Sequence, residues 1–584
     1  MKILGISLGH DSNFTLLEDG IVKEVFEAER YFRSKRYKLE ALKKNEKKIS
    51  TFQKVSYFDL IEILNYIKKN WGSQYNGIAL QNQKRIGEEL ILKEILSSLD
   101  FSFDTFENFN HHLCHASSSY FTSPYQESLI LSYDGQGNDG YTIFFKARGN
   151  KIEYLKKYNL RMGGNYNNLG FMIGLKPDVS GSTAGKLMGL TSYGAHQKNW
   201  RKHVQKYIER YRKISPYIPK NFINNYGKIH IINSIGINKI KELENFKYKK
   251  SFLDFKKNIK GFVDYLFNKE VKIGNEKSTL SHNLAKTFQD LWSEKVIELI
   301  NSHKNESKYI GIVGGCALNG ITNYQLEKSN LFDKVHYIPN PTDCGLSVGA
   351  SYLMYYKLTN NKKKDFNYFS PYLGSKPFDI TKMDFFKKEY PNKTYEDESE
   401  LKKIIAKLIN KNFLIGIIRG NYELGPRALG NRSILCNPMN KNMREILNNK
   451  VKKREWYRPF APVCTAEDAK KYFTNLDDIP YMSVICYTKE KYKNLLPSIT
   501  HVDGSCRLQT INKYQNSFLW ALLKEFEKLS KFPILLNTSF NPGGEPILNY
   551  CEVGLQMLND TDLDFVLVEN TLFSKNKDKL KYCD

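Results

Sequence analysis

Tyr309-Ile310-Gly311-Ile312-Val313-Gly314-Gly315-Cys316-Ala317-Leu318-Asn319 decides the fold. A short apolar run ends at a glycine pair, and a helical pattern follows from about Ala317 to Glu327. Such a run reads as a buried strand, and a strand that turns into a helix is the repeating unit of an α/β domain. Val335 to Ile338 repeats the strand signal, with a helix expected at about 345–357. Upstream, residues 280–302 place Leu284, Phe288, Leu291, Trp292, Val296, Leu299 and Ile300 at helical spacing. Residues 3–9, 13–18 and 21–28 read as three strands, the last two a hairpin around Asp19-Gly20. Helices are expected at 56–70 and 85–99, and strands at 128–134, 141–147 and 151–157. Gly163-Gly164-Asn165-Tyr166-Asn167-Asn168 reads as a loop. Residues 196–275, rich in Lys, Tyr, Asn and Ile, read as an inserted, mainly helical subdomain. Thr359 to Asp365 reads as a polar linker. A second α/β domain starts near 376, with a helix at 398–411 and a strand over Phe413 to Ile418. No repeat is visible between the two halves.

At 584 residues the chain exceeds one core and divides into two or three domains. No run of about 18 apolar residues occurs, so no membrane span is expected. Met1-Lys2-Ile3-Leu4-Gly5-Ile6 lacks a signal-peptide pattern. The nine cysteines are scattered, odd in number and never in CxxC, which predicts reduced thiols in a cytoplasm. A net charge of +26 raises the question of a nucleic-acid binder. The lysines are spread in short clusters, such as Lys362-Lys363-Lys364, so sites for small anions and a compositional bias are favoured over a specific nucleic-acid partner.

Two groups of residues carry chemistry. His111-His112-Leu113-Cys114-His115 places imidazoles on one helix face, where His111 or His112 can share a divalent ion with His115. The strand Ser128-Leu129-Ile130-Leu131 leads to Asp134-Gly135, a carboxylate at a strand end, where open α/β sheets bind ligands. Imidazole with carboxylate suits iron, zinc or manganese. The plain alternative for HxxxH is a surface helix with a satisfied histidine pair.

The second half is rich in anion-binding residues. Gly425-Pro426-Arg427-Ala428-Leu429-Gly430-Asn431-Arg432-Ser433 frames two arginines with glycine and proline. Lys450, Lys452, Arg454 and Arg458-Pro459-Phe460 follow, then His501-Val502-Asp503-Gly504-Ser505-Cys506-Arg507 and Asn537-Thr538-Ser539-Phe540-Asn541. Guanidinium forks match phosphate and carboxylate oxygens, and lysine adds point charge.

With these blocks, and with Gly9-His10-Asp11-Ser12, Glu29 to Lys35, Gly185 to Leu190 and Asp343-Cys344-Gly345, the whole chain resembles the O-carbamoyltransferase family. That family includes nodulation protein U and the cephamycin and tobramycin carbamoyltransferases. The resemblance implies an α/β protein of two parts. Residues 1–358 would be an ASKHA-like (actin and sugar-kinase-like) carbamoyl-transfer domain with the 196–275 insertion. Residues 376–584 would be a YrdC-like domain making carbamoyl adenylate from carbamoyl phosphate and ATP with magnesium.

The resemblance also implies roles. His111, His115 and Asp343 would hold a divalent metal, iron(II), which selects His111 over His112. Asp134 would lie beside them, reaching the metal or the nucleotide. His10 would act on the acceptor hydroxyl. Lys35 would contact nucleotide phosphate. Arg427, Lys452, Arg458, Arg507 and Asn537 would line the carbamoyl phosphate and ATP pocket, with Arg432 beside it. Partners would be a hydroxylated small-molecule or glycan acceptor and a second copy in a homodimer. Three departures bear on the acceptor: the short Ser7-Leu8-Gly9 segment, Arg36 where histidine is frequent, and the 196–275 insertion. The competing readings are a threonylcarbamoyl-type tRNA-modifying enzyme and a non-catalytic nucleotide-gated ASKHA protein.

Overall fold

The computed structural model describes residues 1–41, 51–82, 87–135, 137–178, 181–210, 277–361, 364–474 and 478–583. By internal contacts the chain divides into two units, Met1–Tyr158 with Val296–Asp584, and Asn159–Lys295.

The first unit opens with β1 (Lys2–Ser7), β2 (Asn13–Glu18), β3 (Ile21–Glu27), β4 (Gln74–Gln81) and β5 (Ser102–Asn108). Their order is β3-β2-β1-β4-β5, antiparallel across β1, β2 and β3 and parallel across β1, β4 and β5. Next come β6 (Glu127–Tyr133), β7 (Thr142–Arg148), β8 (Lys151–Tyr158), β9 (Tyr309–Val313) and β10 (Lys334–His336), ordered β8-β7-β6-β9-β10. Order and direction match the first sheet strand for strand. The repeat therefore lies within the first half, in strand pairing that leaves no mark on local sequence.

Two helices join these sheets. His111–Phe121 and Leu346–Thr359 pack backbone to backbone, and a Cβ on Gly349 would lie 1.9 Å from the Cys114 carbonyl oxygen. On β1, a Cβ at Gly5 would lie 2.2 Å from the Ser347 oxygen. Only glycine allows either approach.

The second half of this unit is one eight-stranded sheet. Its strands are β11 (Asn392–Thr394), β12 (Ile415–Ile418), β13 (Arg432–Cys436), β14 (Ala461–Thr465), β17 (Gln509–Ile511), β18 (Ile534–Ser539), β19 (Phe565–Val568) and β20 (Thr571–Ser574). They run β11-β20-β19-β12-β13-β18-β14-β17, while β15 (Cys486–Tyr487) and β16 (Ser505–Cys506) form a separate pair. Both faces of the large sheet are buried. Ile434, Cys436, Leu536, Val566 and Val568 enter one core, and Leu435, Leu535, Phe565 and Leu567 the other, which is the strand period of two. Helices Glu398–Asn410 and Ser517–Ser530 cover the second face.

The Asn159–Lys295 unit contains helices Met162–Met172, Ala184–Leu190 and Arg201–Arg210 and most of Thr279–Asn301. The expected Gly163–Asn168 loop is inside the first of these. Met162, Tyr166 and Leu169 are buried along it, and the Trp292 indole donates to the Met162 carbonyl, so packing overrides the poor helix propensity of Gly and Asn. From 211 to 276 the expected insertion lies outside the described residues. Of the expected linker, Thr359 ends the helix Leu346–Thr359, Lys364 is buried against Ser123 and Tyr125, and 362–363 lie outside the described residues. Among the described residues, no helix is long and apolar enough to cross a membrane.

Candidate functional site

Two clusters of functional side chains form in the Met1–Tyr158/Val296–Asp584 unit. The first gathers at the carboxyl ends of β6 and β9. Asp134 directly follows β6, and Gly314-Gly315 follows β9. Gly314 has φ +90°, and a Cβ there would lie 2.3 Å from the Tyr133 oxygen. At Gly315 it would lie 2.8 Å from Asp134 Oδ1. The glycine pair lets one strand end pass the other.

The His111–Phe121 helix delivers the imidazoles. Its first turn is fixed from outside, because the His111 and His112 amides donate to Asn138 Oδ1 and Asp139 Oδ1. His111 Nε2 stands 3.4 Å from Asp134 Oδ2 and 3.6 Å from Asp343 Oδ1. His115 Nε2 stands 3.4 Å from Asp134 Oδ2 and 3.3 Å from Asp343 Oδ1. These separations are longer than good N–H···O bonds. Ligands about 2.1 Å from one ion at tetrahedral angles stand about 3.4 Å apart. The four donor atoms lie within 4.8 Å of one another, so the set fits a divalent ion of the iron, zinc or manganese class.

His112 faces elsewhere. Its Nδ1 meets Ser132 Oγ at 2.7 Å and its Nε2 meets the Gly140 carbonyl at 3.1 Å. Burial and the neighbouring His111 push its pKa down to about 4, so it is a neutral structural ring. For His115, burial acts downward, but Asp134 and Asp343 prevail and lift it to about 9. Asp134 is held well below the carboxylate range: burial opposes this, and the two imidazoles that face it, His111 and His115, outweigh it. Burial, with Asp134 alongside, raises the Cys316 thiol, so it is protonated.

Asp343 is fixed from β2. Asn13 Nδ2 donates to its carbonyl at 2.8 Å, and Asn13 Oδ1 accepts from the Ser347 amide. His10 reaches the same carboxylate, with Nε2 3.3 Å from Asp343 Oδ2 and Nδ1 2.9 Å from Asp11 Oδ2. Burial acts to lower its pKa, yet Asp343 and Asp11 raise it to about 9. Half of the ring is exposed, so water moderates both influences.

The second cluster is cationic. Arg427 is depressed well below the guanidinium range by burial and by Arg507 and Arg458. Arg454 is depressed by burial and Arg458, with Glu455 opposing. Lys452 is depressed by burial, Arg454, Lys35 and Arg458. Six cations thus repel one another across a largely desolvated space, which an anion would relieve. Lys35 comes from the first half. Beside it Arg33 spans the seam to Glu545 at 3.0 Å, and the buried Arg30 donates to the carbonyls of Glu423 and Gly425.

Two of the expected ligand residues are engaged by the protein itself. All five N–H groups of Arg432 go to protein acceptors, namely Asn549 Oδ1 and the carbonyls of Arg419, Gly420 and Asn431. Its residue is fully buried, so it braces the loop and has no donor left for a ligand. The Lys452 ammonium is occupied by Ser539 and Asn541, so it contributes charge to the pocket while holding the Asn537–Asn541 segment. Asn537 Nδ2 donates to the Ala428 carbonyl and Gln509 Oε1, leaving its Oδ1 without a partner among the described residues. Sequence reasoning counted Arg454 among the anion-binding residues without giving it a role, and missed Arg30, Asn13 and Gln509 as site-building residues. Only Arg454, beside Lys452, carried a local signal.

Known proteins resemble this chain along most of its length. Residues 77–352 match the model described as carbamoyltransferase N-terminus, and residues 406–575 the model for carbamoyltransferase C-terminus. The chain is 26% identical to an uncharacterized protein of Synechocystis over 98% of this chain and 96% of that one. It is 28% identical to nodulation protein NolNO of Sinorhizobium fredii, covering 83% of this chain and 66% of the relative. Nodulation protein U of Azorhizobium caulinodans is 33% identical over 45% of this chain and 46% of its own length. A solved structure of full-length HypF, in the phosphate- and nucleotide-bound form, overlaps 61% of this chain and 46% of its own, with TM-score 0.31 and 14% identity. The chain belongs to the carbamoyltransferase family. It is therefore a carbamoyl-transferring enzyme with a carbamoyl donor and an acceptor as substrates.

Proposed function

We propose that this enzyme makes carbamoyl adenylate from carbamoyl phosphate and ATP in residues 376–584, and that residues 1–358 transfer the carbamoyl group to a hydroxyl. The observation that carries the reading is the pairing of a buried multi-cation pocket with a His/Asp cluster in one compact unit. In the first step carbamoyl phosphate, water and ATP become carbamoyl adenylate, phosphate and pyrophosphate. Arg427, Arg458 and Arg507 bind the phosphates and neutralise charge as pyrophosphate departs. Arg454, Lys452 and Lys35 supplement that field, and the Asn537 oxygen accepts a donor from the substrate.

In the second step the acceptor oxygen attacks the carbamoyl carbon, the bond to AMP breaks, and the hydroxyl proton passes to His10 Nε2. That nitrogen must be free, so His10 acts when Asp343 is engaged elsewhere and no longer holds the ring protonated. A divalent ion on His111, His115 and Asp343, iron(II) in this reading, supplies Lewis acidity to the carbamoyl or phosphate oxygen when bound. Asp134 completes that ligand face, and His112 supports it without taking part.

The acceptor is a hydroxylated small molecule or glycan. The test is chemical: supply ATP, carbamoyl phosphate and a panel of hydroxylated sugars and metabolites, and in parallel ATP, bicarbonate, threonine and unmodified tRNA. A carbamate ester on a small acceptor is expected. Threonylcarbamoyl-adenosine in the tRNA digest would replace this reading with a tRNA-modifying one.

A further inference from the structure

Asn340 is 1% exposed, and among the described residues neither its amide oxygen nor its amide nitrogen has a hydrogen-bond partner. Buried amides are nearly always paired, because losing water without a replacement is costly. A side chain that leaves both ends open is therefore built for something that arrives.

Its surroundings say where. Asp343 of the His/Asp cluster follows three residues later in the same loop. A Cβ on Gly345 would lie 2.3 Å from the Asn340 carbonyl oxygen and 3.3 Å from its Cγ and Nδ2, so only glycine lets this turn fold back beside the amide. On the other side Gly425, with φ +82°, brings the Arg427 loop against the same backbone, where its Cβ would lie 3.0 Å from Asn340 Cα. Gly425 is locked there: its amide donates to Glu27 Oε1 at 2.8 Å and its carbonyl accepts from Arg30 Nη2 at 2.8 Å. Asn340 thus stands between the two clusters. Further unpaired buried atoms, Arg427 Nε and Asn537 Oδ1, belong to the Gly425–Ala428 loop and the strand that holds it.

Resting on the two-step reading above, we propose that Asn340 binds the carbamoyl group itself, amide to amide. Nδ2 donates to the carbamoyl oxygen, and the carbamoyl N–H donates to Oδ1. The two primary amides are complementary edge to edge, so both unpaired atoms are satisfied by one group. An acetyl group has the oxygen but no N–H and leaves Oδ1 unpaired. Sites built to hydrogen-bond a substrate discriminate strongly against analogues lacking the group, so Asn340 also selects carbamoyl over acyl donors.

The probe is 5′-O-(N-carbamoylsulfamoyl)adenosine, an unreactive mimic in which a sulfamoyl group replaces the phosphate and the terminal carbamoyl group of carbamoyl adenylate is kept. Its affinity and that of AMP are measured by calorimetry on the full chain, for wild type, Asn340→Leu and Asn340→Asp. Tenfold or greater weakening for the sulfamoyl compound, with AMP changed less than twofold, is expected in both variants. Asn340→Asp preserves shape and serves if the leucine variant does not fold. Parallel weakening of both ligands would mean a structural role and overturn the proposal. Unchanged affinity for both would mean that water satisfies the amide, and would also overturn it. Failure of the parent reading is separable: wild-type protein releasing no pyrophosphate from ATP and carbamoyl phosphate would remove both.

Discussion

In the proposed metal site His111 and His115 are the pair available as ligands, because His112, one residue along, spends both ring nitrogens on Ser132 and Gly140. Replacing His111 and His115 together by alanine should reduce bound metal to background in elemental analysis, with a cooperative melt retained. Full metal occupancy in that variant would remove the assignment. In the cationic cluster, Arg458→Ala or Arg507→Ala removes a charge-assisted contact to a desolvated anion, worth about 1.5–3 kcal/mol. Carbamoyl phosphate-dependent pyrophosphate release should then fall roughly tenfold or more. The four-residue spacing of the histidines was legible in sequence, but spacing alone left His111 and His112 equal. What separates them is Ser132, on a strand whose position relative to the helix is a tertiary fact. Arg432 shows the converse. As a residue type it is an anion binder; its five N–H groups are spent on four protein acceptors, of which Asn549 is brought in from a distant segment.

Helix Leu346–Thr359 sets the position of the histidine helix through Gly349, so Gly349→Ala forces the two apart or strains both. Overpacking of this kind costs about 1–3 kcal/mol. Denaturant midpoints should fall accordingly, and metal affinity should fall with them because His111 and His115 move. A variant with unchanged stability and metal affinity would mean the helices do not transmit position. Lys364 provides a pH test of the segment after this helix. Burial lowers its pKa to about 7, below its value in the unfolded chain. The folded chain releases the proton first, so stability rises as pH increases from about 7 toward about 10, by up to about 1 kcal/mol per pH unit. Below about 7 the burial cost is fully present. Lys364→Met should abolish this slope in denaturation series across that range; an equal slope in both proteins would contradict the assignment. Most strands and helices were readable from periodicity. The Gly163–Asn168 segment was not, because Gly and Asn signal turns locally while Tyr166 and Leu169 pack as helix. Strand order was also hidden, since pairing between β6 and β9 joins residues far apart in the chain.

The two halves of the enzyme are joined by Glu27, Arg30 and Tyr422. Arg30 pairs with Glu27 at 2.7 Å, lies 4.6 Å over the Tyr422 ring, and donates across the seam. Tyr422 returns the connection by donating to the Val25 carbonyl and accepting from the Glu27 amide. A rigid seam of this kind keeps the cationic pocket and the His/Asp cluster in fixed register, which suits an intermediate that decomposes in water. The central claim is that these clusters perform separate steps. The most direct measurement is acceptor-free formation of labelled carbamoyl adenylate and pyrophosphate from ATP and labelled carbamoyl phosphate, in wild type, His10→Ala and Arg507→Ala. The prediction is that His10→Ala forms adenylate at the wild-type rate while Arg507→Ala loses it. Equal loss of adenylate in both variants, or its absence from the wild type, would contradict the account.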